Sequence, residues 1–265
     1  MPDVVNRGVR IHYDVQGTGP TVLLLAGLGY GGWYWRHVRA RLSPHCTVVT
    51  VDNRGSDGSD KPAGPYTTAL LAEDAAAVLD VLGRLSTTVV GHSLGGLIAQ
   101  ELALARPDLV GRLVLMSTHH GGWQAIPVTP AALAVMLDRS GSAQEVFQRG
   151  MAVATAPGFS TSHPELVEEL RAYRAGGPVP ASAYTAQLMA GAGHDAASRL
   201  SRISCDVLVL AGALDQVVPV GNVELLRKRM PHAVTHVFPR AGHLLGWEEI
   251  DDVSDQILRW VRAAS

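Results

Sequence analysis

Val89-Val90-Gly91-His92-Ser93-Leu94-Gly95-Gly96 is the stretch that decides how the rest of the chain is read. A β-branched run, Thr87-Thr88-Val89-Val90, leads into it, and a stretch with helical character, Leu94 to Ala105, leads out. Between them the pattern Gly-x-Ser-x-Gly marks a sharp strand-to-helix turn that holds Ser93 exposed and strained at a helix N-terminus. A serine hydroxyl is a poor nucleophile without a base, so this reading requires a histidine and an orienting carboxylate elsewhere in the chain.

Working outward, similar short runs recur: Thr21 to Leu25, Thr47 to Val51, Leu113 to Met116, Val207 to Leu210 and Val234 to Phe238. They are continuously apolar or β-branched rather than alternating, as strands covered by helices on both faces are. Val9 to Val15 alternates instead, as a half-exposed edge strand does. Helical segments lie between the runs. Leu71, Ala75, Val78 and Leu82 fall on one helical face behind the capping candidates Thr67 and Thr68, with Gly83 at the end, and Val253, Ile257, Trp260 and Val261 mark the last helix. Strands alternating with helices predict a doubly wound, mostly parallel α/β sheet. From about Trp123 to Ser198 the strand pattern stops. Four helical candidates take its place: Thr129 to Asp138, Ser142 to Ala154, Pro164 to Arg174 and Pro180 to Ala190. The expectation is a core of residues 1–122 and 199–265 interrupted by a helical lid, 123–198, over the sheet edge where such folds bind ligands.

Composition is consistent with one well-buried body. The 265 residues are 47% hydrophobic and only 17% charged, with a formal net charge of −2. A chain of this size hides roughly three quarters of its unfolded surface without a disulfide or metal staple. The charge balance calls for no nucleic acid. No run approaches 18 apolar residues and residues 1–8 contain no apolar signal core, so a soluble, cytoplasmic protein with no membrane partner is expected. Two cysteines, Cys46 and Cys205, are too few for a disulfide framework or a zinc cage.

The acid and base that Ser93 requires are both present, in order. Asp215 follows the run Val207 to Ala211 through Gly212-Ala213-Leu214, and His243 follows the last run through Pro239-Arg240-Ala241-Gly242. Each stands on a loop at the C-terminal end of a strand. With these residues in place, the chain resembles the α/β-hydrolase superfamily over essentially its whole length. The resemblance rests on Gly91 to Gly95, on Gly212 to Pro219 as the acid loop, on Ala241-Gly242-His243 as the histidine loop, and on Asp52-Asn53-Arg54-Gly55 as the turn after the fourth strand. It implies an eight-stranded sheet with the helical cap inserted after the sixth strand. It also implies a catalytic triad of Ser93, Asp215 and His243, with an oxyanion hole from the backbone N–H groups of Leu94 and Leu28. The chain departs from the family at Ala26-Gly27, where His-Gly is common, and at Asp57, where Gly is usual. The first leaves the backbone donor intact, and aspartate tolerates the left-handed turn the second requires. The implied strand order separates the strands after Cys46 and Cys205 by four positions, roughly 19 Å, so both thiols should be free.

The remaining histidines are weaker candidates. His92 is expected to serve the turn. His119 and His120 follow a strand at the active edge, and of the two His119 is placed against substrate. His232 and His236 sit too far apart on an extended strand to share a zinc, so no metal and no cofactor is expected. The pocket is expected from Tyr30, Trp33, His119, Trp123, Met136 and Met189, a mostly apolar wall with few ionic anchors. Together these features predict a serine hydrolase that cleaves a hydrophobic small-molecule ester or lactone through an acyl-enzyme. The alternative is a cofactor-free biosynthetic enzyme that uses the same triad for acyl transfer, elimination, cyclisation or carbon–carbon cleavage. A ligand receptor on the same fold is a third reading, which an intact triad disfavours. Oligomeric state is left open by the sequence.

Overall fold

A computed structural model describes residues 2–263 except 139 and 178. Eight strands form one sheet: β1 (Asp3–Asn6), β2 (Val9–Gln16), β3 (Thr21–Leu25), β4 (Thr47–Val51), β5 (Thr87–His92), β6 (Val110–Met116), β7 (Asp206–Gly212) and β8 (Val234–Phe238). Their order is β1-β2-β4-β3-β5-β6-β7-β8, and from β4 onward every neighbour is parallel. The continuous apolar runs are explained by the two cores. Leu23, Leu25, Val49, Val89, Leu113, Leu115, Val207 and Val209 point to one face, where α2 (Thr68–Val81) and α3 (Leu94–Ala105) pack. The alternate residues, among them Val22, Leu24, Val90, Val114, Leu208 and Leu210, point to the other, under α1 (Arg36–Leu42) and α11 (Ile250–Arg262). With a period of two, a strand feeds both cores only if every position is apolar.

Two strand expectations are corrected. β2 is not at the edge, because the short β1 pairs antiparallel outside it; β1 has only four residues, two of them Asp3 and Asn6, too few and too polar to show a period. β8 is not covered on both faces. It is the opposite edge, and only Phe238 of its five residues is buried.

Among the described residues, five α-helices lie between β6 and β7: α4 (Pro130–Leu137), α5 (Ala143–Ala154), α6 (Phe159–Ser162), α7 (Pro164–Gly176) and α8 (Ala181–Ala192). Four coincide with the expected segments to within two residues. The fifth, α6, is one turn long inside a Gly/Pro/Ser-rich break. Local chemistry sets their starts: Thr129 Oγ1 accepts from Ala132 N–H, and Ser142 and Glu145 form a reciprocal capping box at α5. The two ends of the excursion meet at an isolated bridge, Gly121 with Asp195, where Gly122 N–H donates to His194 O and Ala196 N–H to His120 O. Two short helices complete the chain, α9 (Asn222–Arg229) and α10 (Leu245–Glu248). No helix among the described residues is long and apolar enough to cross a membrane.

Candidate active site

The chain leaves β3 for β4 on one side and returns to β5 on the other, so the loops after β3 and β5 part above the sheet and open a crevice at their carboxyl ends. Ser93 stands there, as the N-cap of α3, at φ 54°, ψ −119°. Its strained backbone is fixed on every side. Ser93 N–H donates to Met116 O at 2.9 Å, and its carbonyl accepts from Thr118 Oγ1 and from the Gly96 and Leu97 N–H groups. The flanking glycines are required by space: a Cβ at Gly91 would stand 2.2 Å from Gly95 O, and one at Gly95 only 2.1 Å from Leu25 O.

His243 Nδ1–H donates to Asp215 Oδ2 at 2.8 Å, which leaves Nε2 as the acceptor nitrogen, since a carboxylate only accepts. The other oxygen, Asp215 Oδ1, accepts from the Val217 and Val218 N–H groups at 2.8 Å each. Ser93 and His243 line one cavity of about 400 Å³, together with Gly27, Leu28 and Gly29. Leu94 occupies the first position of α3, where a helix has no internal partner for the N–H. Ser93 and His243 thus share one cavity, with Asp215 bonded to the histidine; Leu28 lines the same cavity and Leu94 follows Ser93 in the chain.

Of the six expected pocket residues, Tyr30 and Met136 line this cavity. The other four do not, and each is corrected for a physical reason. Trp33 stacks on Tyr173 of α7, with ring centroids 5.2 Å apart, and belongs to a separate depression. His119 turns back to its own loop, where Nδ1 accepts from Gly121 N–H at 2.9 Å. Trp123 and Met189 face outward, 89% and 61% exposed. The apolar wall is supplied instead by Val135, Val146, Phe147 and Met151 on α4 and α5. Two arginines of α7, Arg171 and Arg174, also reach the wall, where few ionic anchors were expected.

Four contributors lie outside the expected triad and oxyanion hole, and of these only His92 carried an expectation, to serve the turn. His92 is buried beside the serine and its Nε2–H donates to the His243 carbonyl at 2.9 Å, while its ring stacks on Tyr34. Burial, and then the neighbouring His243, hold its imidazole well below the usual histidine range, so it serves as a neutral strut. Gln187 on α8 accepts from Gly29 N–H and donates to Arg54 O and Ser56 Oγ, locking the loop that carries Leu28. Glu248 accepts from the N–H groups of Ala156, Gly242 and Leu244, on both sides of His243. Arg174 is the fourth. Gln187 stands beside Ala186, Leu188 and Met189, and His92 beside the nucleophile; Glu248 and Arg174 carry no such signal.

Asp57 takes the expected left-handed conformation, φ 37°. Cys46 and Cys205 are free. No cluster of three or more metal-ligating side chains occurs among the described residues.

The profile of the alpha/beta hydrolase fold matches residues 20–250. A putative carbamate hydrolase, RutD, of Caulobacter segnis is 30% identical over 264 residues, covering 96% of this chain and 97% of that protein. Among solved structures, a thermophilic esterase from Thermogutta terrifontis has a TM-score of 0.84 at 25% identity and covers 99% of both chains. Est816, described as an N-acyl homoserine lactone degrading enzyme, has a TM-score of 0.83 at 28% identity, covering 97% of this chain and 99% of that one.

Proposed function

Since the chain belongs to the α/β-hydrolase family, we propose that it is a serine hydrolase of small carboxylic esters or lactones with an apolar acyl part. The observation that carries this is the 2.8 Å bond to buried Asp215 from His243, which lines the same cavity as strained Ser93. Ser93 Oγ attacks the carbonyl carbon while its proton passes to His243 Nε2. The tetrahedral oxyanion rests on the Leu28 and Leu94 N–H groups, each worth about a hundred- to a thousandfold in rate. Collapse breaks the ester C–O bond, and the alkoxide leaves with the proton from His243. Water then attacks the acyl-enzyme, giving its proton to His243, and the acid departs as Ser93 regains its hydrogen. Asp215 holds the imidazole in the tautomer this requires.

Residues 123–198 act in this reading as a cap. Support comes from the pinch at Gly121 and Asp195 and from the share of the cavity wall that α4, α5 and α7 supply. A carbamate is the second reading, favoured by the name of the Caulobacter relative; the same steps apply with nitrogen on the acyl side. Replacing Ser93 by Ala should abolish both ester turnover and labelling by a fluorophosphonate. Undiminished labelling of Ser93→Ala would falsify the assignment.

A further inference from the structure

Among the described residues, those lining the cavity include two arginines and no aspartate or glutamate. Arg171 is neutralised, its guanidinium donating to both oxygens of Glu168 at 2.7 and 2.5 Å. Arg174 is not. Among the described residues no carboxylate lies within 4 Å of its guanidinium. It packs 4.7 Å above the ring of Tyr30, with Nη1 3.4 Å from the Tyr30 hydroxyl. On the other side it approaches Gly29, where a Cβ would stand 3.5 Å from Nη2. Gly29 follows the proposed oxyanion donor Leu28 in the chain, so this charge sits beside the reacting centre.

A guanidinium does not shed its proton in a protein, and a tyrosine face steadies it without cancelling its charge. A half-buried, uncompensated cation in a cleft without acidic groups focuses positive potential into the cleft. Its planar fork matches a carboxylate with two parallel hydrogen bonds. A single fork suits a monoanion better than a phosphate dianion, which asks for more donors.

We infer that the substrate carries a carboxylate a few bonds from the scissile carbonyl, bound by Arg174, with the intervening chain against Val146 and Phe147. This rests on the serine-hydrolase reading and names its substrate class: a half-ester or carboxylated lactone rather than a neutral one. Arg174 is then a specificity-determining residue of the site.

Monomethyl glutarate and methyl glutaramate have the same shape and differ by one charge. Their hydrolysis, followed by acid release in a pH-stat, gives a ratio of kcat/KM values for each variant. The native protein should favour the charged ester at least about tenfold, the worth of a charge-assisted hydrogen bond. Arg174→Gln should bring the ratio close to one, and Arg174→Lys should restore part of it. Independently of turnover, glutaramate but not glutaramide should slow fluorophosphonate labelling of Ser93 in the native protein and not in Arg174→Gln. Equal use of both esters by a native protein whose Ser93 labels normally overturns the carboxylate inference and leaves the hydrolase reading standing. So does a loss in Arg174→Gln that falls equally on both esters. Absence of labelling at native Ser93 overturns the hydrolase reading, and the inference with it.

Discussion

Ser93 keeps a positive φ of 54° because its neighbours give the turn no other course. The carbonyl is held by one side chain and two backbone donors, and the helix that follows passes so close to β3 that Gly95 touches the Leu25 carbonyl. A methyl group at Gly95 meets backbone rather than a side chain that can swing away, so α3 or β3 must move. Gly95→Ala should therefore lower stability by about 3 kcal/mol, at the upper end for overpacking, measured as the shift in urea midpoint at constant slope. Ester turnover should fall further than stability alone explains, because the same shift displaces Leu94. The proposed triad was legible at this scale because each member follows its own strand within a short local motif. The bonds that His92, Gln187 and Arg174 make were not, since their partners His243, Gly29 and Tyr30 lie 151, 158 and 144 residues away in the chain.

At the scale of elements, the histidine loop depends on a helix it does not adjoin in sequence. The carbonyl of Ala154, at the end of α5, accepts from both His243 and Leu244 N–H, at 2.9 and 3.1 Å. Glu248 in α10 ties the same junction with its three N–H partners, and burial pushes its carboxyl above the usual range against their pull. Glu248→Ala leaves three partly buried donors without their acceptor and should cost about 3 kcal/mol. It should also cut ester kcat by about tenfold or more through misplacement of His243, whereas Glu248→Gln, which keeps one acceptor oxygen, should lose less of each. A chemical-denaturation series with parallel rate measurements separates the two effects. A Glu248→Ala protein with native kcat would refute the link between α5 and the base. Helices α2 to α5, α7, α8 and α11 were readable from the sequence, but α1, α6, α9 and α10 were not; the interior strands were readable from their unbroken apolar runs. What the pattern missed were β1, too short and polar to show a period, the exposure of the edge strand β8, whose run reads like those of the interior strands, and the joints between α5 and the loops, which exist only once the chain has folded.

For the molecule as a whole, the scarcity of charge makes acid stability depend on a few buried groups. His119 is pushed down to about 4, by burial first and then by His194, His120 and His243; His92 is lowered too. A histidine with a folded pKa below its unfolded 6.5 binds fewer protons in the native state across that window. Stability therefore rises with pH through it, and is lost as pH falls from 6.5 toward 4. Glu101 adds to the loss lower down. Burial raises its carboxyl, but Arg199 and His194 outweigh that and bring it to about 2, so its contribution disappears between 4.5 and 2. Asp52 and Glu248, raised by burial, work in the opposite sense, because the folded state there holds protons more tightly than the unfolded one. The histidine contribution is isolated by comparing the native protein with His119→Asn, whose amide oxygen can still accept from Gly121 N–H. Asp52, Glu248, Glu101 and His92 are common to both proteins. The native protein should lose stability relative to the variant by up to about 1.4 kcal/mol per pH unit between 6.5 and 4, with no divergence above pH 7. Urea midpoints at half-unit intervals give the difference directly, and parallel curves across that window would show that His119 is free to protonate in the fold.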